Sequence, residues 1–176
     1  WLVVLLGLSL CVSTVTGLFE NVISHLAIIV SFQSLILGMS GNVGTQSLAV
    51  TIRVLMDEDL SGRQKWGLIF KEARIGFCNG LMLGLLAFAF IGTYVYVLKG
   101  RPLQYAFSVS ACAGVALMLA MTISSVVGTV VPMFFHKVKV DPAVASGPLI
   151  STVNDFVAVV TYYGLAWVLL IHVLHL

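Results

Sequence analysis

The chain has 176 residues, of which 60% are hydrophobic and only 9% are charged, and its formal net charge is +2. A mean hydropathy of +1.09 is far too high for a soluble domain of this length. The apolar residues form runs of about twenty or more, long enough to cross a bilayer core of ~30 Å as helices. The sequence lacks the short alternating segments that are typical of a β-barrel. The composition therefore predicts an all-α protein embedded in a membrane.

Five apolar segments divide the chain into predicted membrane spans, and we expect each to be a helix. They cover approximately Trp1–Leu18, Ser24–Ile52, Ile75–Leu98, Leu103–Phe135 and Ala143–Leu174. The sequence starts at Trp1 without an initiator Met or a basic leader, so we expect the first segment to be a transmembrane helix and not a signal peptide. We also expect that further sequence precedes Trp1 in the full-length protein and that a soluble regulatory domain can belong to it.

The distribution of basic residues predicts the orientation. One side of the predicted membrane carries Arg53, Arg63, Lys65, Lys71, Arg74, Lys137 and Lys139, and the other side carries Lys99 and Arg101. The positive-inside rule places the richer side in the cytoplasm, so the amino end lies inside and the carboxyl end outside. We therefore expect a multi-pass protein of the cell inner (plasma) membrane, surrounded by lipid. No cluster of basic and aromatic residues indicates a nucleic-acid partner.

The second predicted span combines glycines with polar side chains on one helical face. That face contains Ser34, Gly38, Gly41, Asn42, Thr45 and Ala49. Polar side chains in a membrane helix are costly unless they point into the protein, and glycines leave main-chain carbonyls accessible because no Cβ shields them. Alternatively the face forms a close helix contact, since Gly38/Asn42 and Gly41/Thr45 have small-xxx-small spacing. Both interpretations remain open, although the amide of Asn42 adds polarity that close packing does not require.

The fifth predicted span begins with a helix-start signal and continues as a polar stripe. Asp141 is a suitable N-cap, and Pro142 suits the first helical position. Pro148 removes a backbone hydrogen bond further in, and freed carbonyls at membrane depth are tolerated where they line a cavity. One face of the helix then carries Gly147, Ser151, Asp155 and Tyr162. Its similarity to the polar face of the second span predicts that the two faces meet.

Asp155 is the most informative residue because it lies deep in an apolar span. A carboxylate at that depth costs at least ~2.5–3.5 kcal/mol, so we expect it to face a polar cavity or a partner and not lipid. The alternative is a buried structural carboxyl group that holds two helices together. Carboxylate, amide, hydroxyl and carbonyl oxygens favour a hard cation such as Mg²⁺. Two copies of Asp155 around a symmetry axis would match the charge of that ion, which favours a homodimer.

Three segments resemble the membrane domain of the MgtE family of magnesium transporters. They are GMSGNVGTQSLAVTIR from Gly38, FKE from Phe70 and VDPAVASGPLISTVNDFVAVVTYYGLA from Val140. The resemblance covers residues 1–176 and implies a transmembrane pore domain with five helices per chain, in which two chains form a passive Mg²⁺ channel at their interface. Family members usually also carry an amino-terminal helical domain and a CBS pair that sense cytoplasmic Mg²⁺, which we expect in the full-length protein.

The resemblance also implies a set of ion-binding residues. Positions similar to the pore ion site of the family are Asp155, the backbone at Ser151 and Gly147, and Gly38 and Gly41. Glu72 and Asp141 resemble acidic residues near the cytoplasmic pore entrance that bind further divalent ions. Some members have Asn where this chain has Gly147, so a side-chain ligand is replaced there by a carbonyl. We expect paired Asp155 carboxylates to select hydrated Mg²⁺.

Two of these residues, Glu72 and Asp155, also have an alternative interpretation. Glu72 could form an ion pair with Lys71 or Arg74 at the membrane edge. Asp155 could carry a proton or a sodium ion in a coupled secondary transporter, although the chain shows no internal repeat of the kind common in such proteins. An enzyme is not expected, because the sequence contains no HExxH, no GxSxG and no carboxylate pair within one span. The predicted ligands at Asp155 leave open whether Mn²⁺, Co²⁺ or Ca²⁺ binds there as well as Mg²⁺.

Overall fold

The chain folds into helices that are connected by short loops. The computed structural model describes the backbone of residues 2–57 and 60–173, and their side chains apart from those of Asp57, 142–146, Pro148 and Val173. In chain order the helices are α1 (Leu2–Gly17), α2 (Glu20–His25), α3 (Val30–Asp57), α4 (Gly62–Val97), α5 (Leu103–Lys137) and α6 (Pro142–Leu165). A 3-10 turn, Ala27–Ile29, precedes α3, and a π-helical segment, Ala166–Val173, continues α6. The described ranges contain no β-strand, which fits the predicted all-α class.

Four of the predicted spans are confirmed as helices long and apolar enough to cross a membrane. These helices cover Ala27–Met56, Gly62–Val97, Leu103–Lys137 and Leu149–His172. The first predicted span corresponds to α1, which has 16 described residues and is about 24 Å long, against a bilayer core of ~30 Å. The structure therefore shows an all-helical membrane protein with four helices of crossing length in its described part. The fifth span remains a prediction, and its first residue, Trp1, lies outside the described residues.

Helix α4 begins at Gly62, well before the start predicted from its apolar residues at Ile75. Ser61 caps the helix, because its Oγ accepts a hydrogen bond from the backbone N–H of Gln64 at 3.4 Å and its own N–H donates to Oε1 of Gln64 at 2.9 Å. This reciprocal capping box satisfies backbone groups that have no partner within the helix. With 36 residues α4 is about 54 Å long, so its basic first part extends beyond the bilayer core.

Helix α5 is central, since it packs against α3, α4 and α6. Across the α4–α5 interface, glycines recur every four residues on α4, at Gly76, Gly80 and Gly84. A Cβ built on Gly84 would lie 2.7 Å from the carbonyl oxygen of Gly114, and a Cβ on Gly114 would lie equally close to that of Gly84. Helix association in membranes depends on such van der Waals contacts, because lipid tails are as apolar as the side chains and no hydrophobic effect favours association. These glycines therefore determine how closely α4 and α5 approach.

Helix α6 runs antiparallel to α3, and two tyrosines align the pair. Tyr162 donates a hydrogen bond to the carbonyl oxygen of Ile29 at 2.8 Å, and Tyr163 donates to Oε1 of Gln33 at 2.7 Å. Further along, a Cβ on Gly44 would overlap the side-chain amide of Asn154. Because the contacts proceed in opposite directions along the two helices, the middle of α3 lies beside residues 151–155 of α6.

Replacing a contact glycine with alanine should destabilise the α4–α5 interface. A Cβ at Gly80 would lie 2.9 Å from both the Cα and the carbonyl oxygen of Met118, so Gly80→Ala forces backbone to move. We expect a loss of about 1–3 kcal/mol, seen as a lower Tm in detergent micelles. Gly67→Ala on the same helix is the control, since no atom lies within 4 Å of that Cβ. Equal Tm values for the two variants would contradict the close approach.

Candidate cation site

A groove between α3 and α6 brings the two predicted polar faces together. It is lined by Leu37, Gly38, Gly41, Asn42, Thr45, Ser151 and Asp155, and its volume is about 300 Å³. The groove follows from the antiparallel alignment, which places Gly41 and Thr45 beside the turn of α6 that carries Ser151 and Asp155. Four of the seven predicted site residues therefore share one surface, namely Gly38, Gly41, Ser151 and Asp155.

The glycines of the groove differ from those at the helix contacts. A Cβ on Gly38 or Gly41 would meet no atom within 4 Å, whereas a Cβ on Gly44 would overlap Asn154. Gly44 thus makes the close contact between α3 and α6, and Gly38 and Gly41 leave free space in front of the backbone. Within one chain, the structure supports a lined cavity at these two positions and not a helix contact.

Two hydroxyl groups in the groove are bonded to carbonyls of their own helices. Thr45 Oγ1 lies 3.0 Å from the carbonyl oxygen of Gly41 and 2.9 Å from that of Asn42, and Ser151 Oγ donates to the carbonyl of Gly147 at 3.3 Å. A hydroxyl group has one proton and two lone pairs, so each oxygen can still accept a hydrogen bond. The hydroxyl oxygens therefore offer acceptors to the groove, whereas the carbonyls of Gly41 and Gly147 already accept from a side chain.

Asp155 is half-buried and supplies the carboxylate of the groove. Within residues 2–57 and 60–173, this carboxylate has neither a hydrogen-bond partner nor an ion-pair partner. A structural carboxyl group that held two helices together would need such partners. The arrangement therefore favours a carboxylate that is available to a ligand.

Two further predicted site residues lie near α6 but outside the groove lining. Gly147 is half-buried, and its carbonyl is one helical turn before Ser151. Asp141 is exposed and directly precedes α6, which begins at Pro142 as predicted. Fourteen residues separate Asp141 from Asp155, about 21 Å along the helix axis, so the two carboxylates belong to different sites.

Glu72 lies outside the groove, in a buried cluster between α3, α4 and α5. Its side chain is 4% exposed, and Ser47 Oγ donates to its Oε2 at 2.9 Å. Ser125 Oγ donates to its main-chain carbonyl at 2.6 Å, and the two serine hydroxyl oxygens are 2.9 Å apart. The ion pair considered with Lys71 or Arg74 is not observed among the described residues. Glu72 instead ties the groove helix α3 to α4 and α5.

Sequence reasoning missed Asn154, the neighbour of Asp155. It is fully buried, and neither Oδ1 nor Nδ2 has a hydrogen-bond partner among the described residues. Buried polar atoms without partners are rare, and this amide is held against Gly44 of α3. An asparagine in an apolar span is a signal that the sequence does contain. The sequence alone does not show that its side chain points towards α3, because that depends on how the two helices pair.

The groove can hold a cation that keeps its water. In the described part of the chain, no group of three or more His, Cys, Asp or Glu residues could bind a metal ion directly. The groove offers one carboxylate, one amide and two hydroxyl groups. Mg²⁺ loses water reluctantly and commonly binds through one or two carboxylates while retaining several waters. Such a donor set suits a hydrated hard cation better than a dehydrated one.

The chain matches the model of one protein family, MgtE, described as a divalent cation transporter, over residues 33–165. This range contains the whole lining of the groove. The similarity therefore extends over the elements that form the candidate site.

Proteins with similar sequences carry the name magnesium transporter MgtE. Those of Bacillus subtilis and Enterococcus faecalis are 36% and 35% identical over 166 residues, and that of Thermus thermophilus is 32% identical over 171 residues. The alignments cover 94%, 94% and 97% of this chain, but 35%, 35% and 36% of the relatives. The chain thus spans about a third of the length of these curated relatives.

The buried cluster predicts different effects for two substitutions of Glu72. Glu72→Ala leaves the Ser47 hydroxyl without its acceptor and should lower the unfolding free energy by about 1–3 kcal/mol. Glu72→Gln keeps an acceptor oxygen and should lose less than half as much. Thermal unfolding in micelles measures both, with Glu20→Ala, an exposed acid on α2, as the control. A Tm for Glu72→Ala equal to that of the control would show that the cluster does not hold the helices together.

Proposed function

This chain belongs to the MgtE family of divalent cation transporters, and we propose that it forms a transmembrane pore domain through which Mg²⁺ crosses a membrane passively. The observation that carries the proposal is the Asp155 carboxylate, which has no partner among the described residues and lies in a groove with polar oxygens. The names of the relatives, magnesium transporters, support Mg²⁺ as the transported ion.

A second copy of the chain completes the pore in this proposal. The groove is open on one side, and Ser34, Asn42 and Thr45 on the same face of α3 are exposed. Polar groups at membrane depth must face protein or water, because lipid offers no hydrogen bonds. A homodimer that pairs the two grooves removes these groups from lipid. It also places two Asp155 carboxylates opposite one doubly charged ion.

The ion passes the site with its water shell. One water occupies about 30 Å³, so six waters need roughly 180 Å³, which fits a groove of about 300 Å³ even before a second chain contributes. The free space before Gly38 and Gly41 leaves room for these waters. The hydroxyl oxygens of Thr45 and Ser151 accept hydrogen bonds from them, and the carbonyls of Gly38, Gly41, Gly147 and Ser151 are secondary acceptors.

Selection is electrostatic and release is rapid. Two carboxylates attract a divalent ion more strongly than a monovalent one at the same distance, because Coulomb energy scales with the charge. Contact through water keeps binding weak enough for the ion to leave, as conduction requires. The site would treat Mn²⁺, Co²⁺ or Ca²⁺ according to how firmly each holds its waters. Asp141, exposed at the start of α6, is proposed as a further divalent site at the cytoplasmic entrance.

The remaining parts of the proposal concern topology and partners. We place α1 as a fifth span, with the amino end in the cytoplasm and the carboxyl end outside the inner membrane. The Lys and Arg residues of the two proposed cytoplasmic loops support this orientation. Since the relatives are about three times as long, we propose that regulatory cytoplasmic domains accompany this pore domain in the full-length protein.

Removing the carboxylate should stop transport. Asp155→Asn keeps the shape of the side chain but removes two charges from a dimeric site, each worth several kcal/mol of attraction at about 5 Å and an effective dielectric constant of ~20. We expect Mg²⁺ flux into liposomes to fall at least about tenfold while the Tm stays within a few degrees. Glu20→Gln, which removes an exposed acid outside the groove, should keep full flux. Flux near the parent value in Asp155→Asn would refute the proposal.

A second experiment separates a channel from the coupled transporter. Channel-mediated uptake follows the electrochemical gradient of Mg²⁺ alone, so a negative potential inside liposomes should increase it without any proton or sodium gradient. Collapsing the proton gradient, or removing sodium, should leave the rate unchanged at a fixed potential. A rate that followed either gradient would favour Asp155 as a proton or sodium carrier.

A further inference from the structure

One face of α4, remote from the cation site, is basic at one end and apolar along the rest. Its residues are spaced alternately by four and three along the helix: Gly67, Lys71, Arg74, Cys78, Leu81, Leu85 and Phe88. Such spacing keeps side chains on one side of a helix over several turns. The opposite face, which contains Glu72, Gly76 and Gly80, packs towards α5. The basic and apolar face therefore belongs to the outer surface of the chain.

The basic end forms a shallow depression. It is lined by Gly67, Phe70, Lys71 and Arg74, and the missing side chain of Gly67 makes its floor. Lys71 and Arg74 are both exposed and have no acidic partner among the described residues. Trp66 and Phe70, which contact each other at 6.3 Å between ring centroids, are 64% and 71% exposed beside it. Exposed aromatic rings next to basic side chains are typical of the headgroup level of a membrane.

The other end of the face opens into an apolar groove between α4 and α5. Leu81, Gly84, Leu85 and Phe88 line it from α4, opposite Ala111, Gly114, Val115 and Met118 of α5, and its volume is about 290 Å³. The groove has no polar lining at all. It exists because Gly84 and Gly114, which face each other at close range, carry no side chains.

The basic depression and the apolar groove are separated by about half the thickness of the hydrocarbon core. Arg74 and Leu85 are about 16 Å apart along the helix axis, and half of the hydrocarbon core is ~15 Å. A basic depression at headgroup level and an apolar groove that reaches the middle of the bilayer together match a molecule with an anionic head and a long apolar chain. A soluble anion would use only the first part, and a neutral lipid only the second.

We propose that this face binds one anionic phospholipid from the leaflet at the Lys71 end of α4. Lys71 and Arg74 bind the phosphate, the rings of Trp66 and Phe70 lie beside the headgroup, and one acyl chain passes Cys78 to fill the groove at Gly84 and Gly114. Anionic lipids are attracted to basic residues at the cytoplasmic surface, the side on which positive-inside counting places this end. The site does not depend on the proposed cation function, since it shares no residue with the groove at Asp155.

Lipid binding to the purified protein tests the proposal. We would titrate delipidated protein in neutral detergent with phosphatidylglycerol, phosphatidylcholine or inorganic phosphate, and measure bound lipid by native mass spectrometry and the accompanying rise in Tm. The parent protein should bind one phosphatidylglycerol per chain saturably and show no saturable binding of phosphatidylcholine or phosphate in the same range.

Two variants locate the site. Lys71→Gln combined with Arg74→Gln should weaken phosphatidylglycerol binding roughly 25-fold, since each basic side chain near an anionic lipid contributes about a factor of five. The control, Arg53→Gln with Lys65→Gln, removes the same charge from the same side of the membrane and should change affinity less than about threefold. Ala111→Trp fills the apolar groove and should weaken long-chain phosphatidylglycerol about tenfold, the equivalent of roughly two buried methylene groups, while leaving a six-carbon-chain analogue unaffected.

Three results would overturn the proposal. Equal losses in the paired variant and its charge-matched control would mean that only general attraction operates. Inorganic phosphate binding as tightly as phosphatidylglycerol would indicate a site for free anions. Phosphatidylcholine binding as tightly as phosphatidylglycerol would show that Lys71 and Arg74 do not contribute to lipid selection.

Discussion

A carboxylate within a bilayer needs a partner, and Asp155 has none in the described part of its own chain. The rest of the site follows from this constraint. The carboxylate has to face water, an ion or another protein surface, and the groove beside α3 is where the chain provides that surface. The two tyrosines of α6 align it with α3, and in this alignment Asp155 lies beside Asn42 and Thr45 of α3. The shape of the candidate cation site therefore depends on a helix register that is set more than one turn away from the carboxylate.

Glycines serve two different purposes in this chain. At Gly44, Gly80, Gly84 and Gly114 an added Cβ would meet another helix, so these positions allow backbones to touch. At Gly38 and Gly41 an added Cβ would meet nothing, so these positions keep space open in front of α3. The first group fixes the close packing of the helix frame to which the groove helix α3 belongs, and the second group leaves the groove itself unfilled. The buried contacts of Glu72 with Ser47 and Ser125 stabilise the same frame.

Much of the site could be predicted from the sequence because polarity within apolar spans is conspicuous. Asp155, Ser151, Gly38 and Gly41 were identified from that contrast and lie on one surface. The burial of Glu72 could not be foreseen, since its neighbours Lys71 and Arg74 suggest a surface residue, while its observed partners are 25 and 53 positions away in the chain. The apolar residues predict a membrane span from about Ile75, whereas α4 itself begins at Gly62, because its capping pair Ser61 and Gln64 lies outside the apolar run. Spacing alone did not distinguish packing glycines from lining glycines, because both recur at three- or four-residue intervals.

The central claim is that two Asp155 carboxylates share one hydrated divalent ion at a subunit boundary. Crystals of the protein grown with Mn²⁺, which oxygen sites also accept, would locate the ion directly by anomalous scattering. We expect one peak on a twofold axis, about 4–5 Å from the nearest carboxylate oxygen of each chain, the separation produced by one intervening water. An Asp155 side chain that faces lipid, or that packs inside a single subunit with the ion bound elsewhere, would contradict the account.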